Sequence, residues 1–76
     1  MRTEQIKGHE IEISGVRVAN SSNWTAYLTI YGPSSNPMHR HSVFPNQQVC
    51  VEEVFNSEQA AQEAALKVAR EMLAAR

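Results

Sequence analysis

SEQAAQEAALKVAREMLAAR, Ser57 to Arg76, is the stretch on which the rest of the chain leans. Ser57 is a favourable N-cap, because its hydroxyl can accept from the unpaired backbone N–H groups of a first helical turn. Glu58 places negative charge near the positive end of the helix dipole, and Arg76 places positive charge near the other end. Seven of these residues are Ala, the best helix former, and no Gly or Pro interrupts them. Glu63 and Lys67 stand four apart in the favourable order. The stretch predicts one helix over 57–75.

Its faces follow from the 3.6-residue period. Ala61, Ala64, Ala65, Val68 and Met72 form one apolar stripe, and Leu66, Ala69 and Leu73 form a second beside it. Glu63, Lys67, Arg70 and Glu71 lie mostly opposite. The small residues of the first stripe allow a close approach to whatever the helix covers. Two readings of the second stripe stay open: both stripes enter one core, or Leu66 and Leu73 meet a second copy of the chain.

Working outward, the segment before the helix reads as a strand over 48–55, with Val49, Val51 and Phe55 on one face and Phe55 anchoring the helix to the sheet. Pro45-Asn46 is a turn signal, Gly32 to Pro37 is loop by composition, and Met38 to Phe44 reads either as loop or as a short strand. Trp24 to Tyr31 is the clearest strand. Trp24, Ala26, Leu28 and Ile30 fall on one face, and Thr25, Tyr27, Thr29 and Tyr31 on the other. Asn20 to Asn23 is a polar turn, so this strand forms a hairpin with the one before it.

That earlier strand spans 6–19. Ile11 and Ile13 occupy odd positions, whereas Val16 and Val18 occupy even ones. A plain strand sends the two pairs to opposite faces; a bulge at Ser14-Gly15 returns them to one. The expectation is a long first strand bent there, with residues 1–5 frayed. The fold class expected is α+β: a three-stranded antiparallel meander followed by one C-terminal helix on one sheet face, β-β-β-α, in a single domain over 1–76.

Composition narrows the function classes. A chain of 76 residues buries only about 60 % of the surface it exposes when unfolded, so its core is marginal and association is one remedy. The formal net charge is −1 and the charges are well mixed, which gives no electrostatic argument for nucleic acid or an anionic membrane. Cys50 is the single cysteine, which excludes an internal disulfide and suits a reducing compartment; with no apolar run near the start, the cytoplasm is expected. No stretch approaches the ~20 apolar residues that span a bilayer.

Candidate chemistry is thin. His9, His39, His41 and Cys50 are the metal-ligand types, but no Cys-x-x-Cys pair exists and the residues are scattered; they read as ordinary side chains. Cys50 lies between Val49 and Val51 with Glu52 and Glu53 following, surroundings that disfavour a thiolate. Glu10 and Glu12 project together, as acid/base pairs do, yet on a strand that is also the wet side. No catalytic residue, cofactor or metal is expected. The more informative residues are Tyr27, Thr29 and Tyr31, on the sheet face that one helix leaves uncovered, where aromatic side chains pack a partner or stack bases.

Lys7-Gly8, the long first strand, Asn23-Trp24-Thr25-Ala26 and Val54-Phe55-Asn56-Ser57-Glu58-Gln59-Ala60-Ala61 together form a sparse frame over about residues 7–70. The frame resembles the plant AP2-type DNA-binding domains and the integrase-type three-stranded binders, and is similar to small bacterial β-β-β-α proteins. The resemblance implies the β-β-β-α fold. Duplex binders of that kind neutralise ~6–10 phosphates, and here the strands carry Glu10, Glu12, Glu52 and Glu53 against a lone Arg17. The expected activity is therefore protein association, as a homodimer or with another protein, through Arg17, Tyr27, Thr29, Tyr31, Leu66 and Leu73. Weak nucleic-acid binding through Arg17, Tyr27, Tyr31 and Arg40 is the alternative, and charge disfavours it.

Overall fold

The structure is a computed structural model in which residues 2–32 and 42–75 are described. The expectations for 33–41, including His39, Arg40 and His41, and for Arg76 lie outside those residues. Among these residues four strands precede the helix: β1 (Arg2–Ile6), β2 (His9–Arg17), β3 (Trp24–Tyr31) and β4 (Ser42–Val49), followed by α1 (Glu58–Ala74). The strands form one antiparallel sheet in the order β1-β2-β3-β4. The α+β class and the single helix hold, but the sheet has four strands and not three.

The additional strand is β1, where frayed residues were expected. Lys7 and Gly8 take φ of 52° and 81°, the positive values a two-residue type I′ hairpin needs. The turn folds Arg2–Ile6 back on β2 in unbroken register, from Ile6 opposite His9 to Arg2 opposite Ile13. A five-residue strand alternating Arg2, Glu4 and Ile6 with Thr3 and Gln5 carries too little apolar signal to be read alone.

The expected bulge at Ser14-Gly15 is absent. β2 pairs with β3 continuously from Ile11 opposite Ile30 to Arg17 opposite Trp24. Ile11, Ile13 and Gly15 thus share the helix-side face, and Val16 points the other way, 47 % exposed. Gly15 is no bend. It is a place where the helix lies close: a Cβ built there would lie 3.0 Å from the Glu58 carbonyl oxygen and 3.2 Å from the Ala61 Cβ.

The last strand also differs from the expectation of 48–55. β4 ends at Val49, and Cys50, at a φ of 54°, opens a turn closed by the Glu53 N–H donating to the Cys50 carbonyl. Val51 therefore faces solvent, 68 % exposed. Only Phe55 returns to the sheet, where it exchanges two 2.8 Å backbone hydrogen bonds with Trp24. Pro45-Asn46 lies inside β4. Between Phe44 and Gln47, β4 has one residue more than β3 has between Ile30 and Leu28, a bulge of the kind that tolerates proline on an edge strand.

α1 begins where its cap dictates. Ser57 is extended, and its Oγ accepts from the Ala60 N–H at 3.1 Å. Ala61, Ala65, Leu66, Ala69 and Leu73 are the buried residues of the helix, packed with Ile11, Ile13, Ala26, Leu28, Ile30 and Val49 in one cluster. Both stripes belong to a single core. The alanines let the helix lie low over β2 and β3, while Val68 and Met72 flank the cluster half-buried.

Candidate functional site

Strand alternation sorts the sheet residues by face. On the side away from the helix stand Thr3 and Gln5 of β1, Glu10, Glu12, Ser14 and Val16 of β2, and Thr25, Tyr27, Thr29 and Tyr31 of β3. Glu12 sits opposite Thr29, Ser14 opposite Tyr27 and Val16 opposite Thr25, and Tyr27 is flanked on its other side by Gln48. The Thr25 Oγ1 donates to the Val16 carbonyl at 3.1 Å, which ties the two strands on this face. Phe55 pairs with Trp24 in an isolated antiparallel bridge, and its neighbour Val54 is 58 % exposed.

Tyr27 and Tyr31 are half-buried on this face, and Thr29 between them is only 6 % exposed. Of the six interaction residues, these three stay together as the sequence places them. Arg17 does not join them. It stands opposite Trp24, on the helix-side register at the end of β2, and is exposed there. Leu66 and Leu73 are withdrawn as well: each is 2 % exposed, so neither is available to a second copy. Among the described residues, no Lys or Arg lies on the face that carries Tyr27 and Tyr31, whereas Glu10 and Glu12 do.

Among the described residues, two concavities lie beside the helix. One, of about 340 Å³, is lined by Ile30, Val43, Phe44, Met72 and Leu73 and carries no polar side chain among them. The other, of about 290 Å³, lies between the Cys50–Phe55 turn and α1, lined by Cys50, Glu53, Phe55, Ala64, Lys67, Val68 and Glu71. The Cys50 thiol is pushed above the ordinary thiol range, first by partial burial, then by its hydrogen bond to Glu53, then by the charges of Glu53 and Glu71; Lys67 acts in the opposite sense. A nucleophilic cysteine needs the reverse shift. These surroundings favour the neutral thiol.

His9 sits at the start of β2 with its Nδ1 3.2 Å from the Lys7 carbonyl oxygen. Among the described residues no three His, Cys, Asp or Glu side chains come together as a metal site would require. No helix among them is long and apolar enough to cross a membrane.

Arg2 was not singled out in the sequence. Its guanidinium donates to Glu4 at 2.8 Å and, across 61 residues of chain, to Glu63 on the helix at 2.9 Å. These two bonds, Glu63 first, hold its pKa above the ordinary arginine value. No local signal marks this pair, because β1 reaches the helix only through the hairpin that precedes β2.

No protein-family model, curated protein or solved structure matches the chain.

Proposed function

We propose that this chain works by protein association, without chemistry of its own, through the sheet face turned away from α1. One observation carries the reading: α1 packs on one side of the sheet only, and the opposite side presents the half-buried Tyr27 and Tyr31 with the exposed Val16. Aromatic side chains with a polar tip are the residues that protein interfaces favour, since one side chain contributes area and a hydrogen-bonding group together.

Charge supports a protein over a nucleic acid as the occupant. A stacking platform for bases is accompanied by cations that follow the phosphates. Among the described residues this face offers Glu10 and Glu12 and no cation. The raised thiol of Cys50 speaks against a nucleophilic role for that residue.

The test is tyrosine nitration of Tyr27 and Tyr31, read by mass spectrometry at rising protein concentration and in mixed-sequence DNA or RNA at low salt. Protection that grows with protein concentration, and is absent with nucleic acid, is the expected result. Protection by nucleic acid alone would transfer the face to the alternative reading, and unchanged labelling up to millimolar protein would end the self-association form.

A further inference from the structure

We infer that the outer edge of β1 pairs antiparallel with β1 of a second copy, about a two-fold axis at Thr3, to give one continuous sheet of eight strands, four from each chain. The inference is independent of what the open sheet face binds.

The two edges of the sheet are not equivalent. β4 is irregular: Pro45 lies within it, and its register against β3 shifts twice, between Leu28 and Ile30 and again between Ile30 and Tyr31. Such breaks and a proline are devices that block strand addition. β1 carries no proline and no register break over its whole length.

The hairpin sets which groups face outward. Ile6 and His9 flank the two-residue turn and form a hydrogen-bonded pair. Alternation then makes Glu4 with Ile11, and Arg2 with Ile13, the next bonded pairs. The N–H and C=O groups of Thr3 and Gln5 point away from β2, and among the described residues no strand pairs with them. A second strand must bond to these two residues.

Charge then selects the register. Centring on Glu4 would put Glu4 against its own copy, an unfavourable like-charge pair. Centring on Thr3 pairs Thr3 with Thr3 through two backbone hydrogen bonds and sets Arg2 opposite Glu4 of the other chain twice, at the closer, non-hydrogen-bonded spacing. Helix-facing charges usually guard an edge because pairing would leave them unmatched. Here they are opposite in sign and two residues apart, and Arg2 already donates to Glu4 and Glu63 of its own chain, so a two-fold partner adds a second carboxylate to each guanidinium and leaves no charge unmatched. α1 lies over β2 and β3, which leaves Arg2, Glu4 and Ile6 half-buried and accessible beside the new seam.

Sedimentation equilibrium from micromolar to millimolar protein, with amide exchange at Thr3, tests this. Expected are a reversible monomer–dimer equilibrium and protection of the Thr3 amide that rises with concentration. Thr3→Pro removes only an outward N–H and is expected to weaken dimerisation by about tenfold or more. Arg2→Glu is expected to weaken it as well, and the double variant R2E/E4R to restore it, which keeps the test decisive if the proline variant folds poorly. A wild-type monomer at millimolar concentration overturns the inference. So does a dimer that is insensitive to Thr3→Pro and to the charge exchange; if Tyr27→Ala then dissociates that dimer, the open face is the interface instead.

Discussion

Gly15 lies directly beneath Ala61, so close that a Cβ on the glycine would stand 3.2 Å from the alanine Cβ and 3.0 Å from the carbonyl oxygen of Glu58. The contact joins the middle of the sheet to the first turn of the helix.

Gly15→Ala is accordingly expected to destabilise the fold. Alanine recovers about 0.4–1 kcal/mol of unfolded-state entropy, but overpacking a close contact costs about 1–3 kcal/mol. The obstructing atoms include backbone and a Cβ, which cannot swing aside. A net loss of about 1–2 kcal/mol in urea unfolding is expected, larger for Gly15→Val. An unchanged midpoint would show that α1 shifts without penalty.

Ser57→Ala removes the acceptor of the Ala60 N–H and is expected to cost about 1 kcal/mol, whereas Ser57→Asp keeps it. Circular dichroism with urea titration separates the two. Equal stability of all three proteins would mean that water caps the helix equally well.

Leu66→Ala and Leu73→Ala are expected to lower stability by about 2–5 kcal/mol, with no dependence on protein concentration. Leu66 and Leu73 are equally buried, so the two losses are expected to be of similar size. A destabilisation that vanished at high protein concentration would return these leucines to an interface.

Cys50 makes a pH prediction. Its folded pKa is raised, so its contribution to stability is fully present below the ordinary thiol range of about 8.5 and is lost as pH rises through the raised value. Stability should fall on the alkaline side, and Cys50→Ser should flatten that slope. Iodoacetamide should alkylate native Cys50 more slowly at pH 8 than it alkylates a free thiol; an equal or faster rate would contradict the burial and the Glu53 hydrogen bond.

The sequence by itself determined the helix, the central strand and the absence of a disulfide. Ser57, the alanines and the 3.6-residue period are local features, and α1 starts at Glu58 as they require. The two-residue alternation of Trp24–Tyr31 likewise placed Ala26, Leu28 and Ile30 in the core and the tyrosines opposite. Only tertiary structure decided the rest. Whether Leu66 and Leu73 enter the core depends on how wide the covered sheet is, and β2, β3 and the end of β4 make it wide enough for both stripes. Gly15 reads as a bend in sequence because glycine serves equally for a bulge and for a close approach; the packing of Ala61 above it selects the second. Arg17 parts from the tyrosines because an unbulged β2 carries it to the other face. The β1 hairpin and the Arg2–Glu63 pair rest on contacts between residues remote in the chain, which no local periodicity encodes.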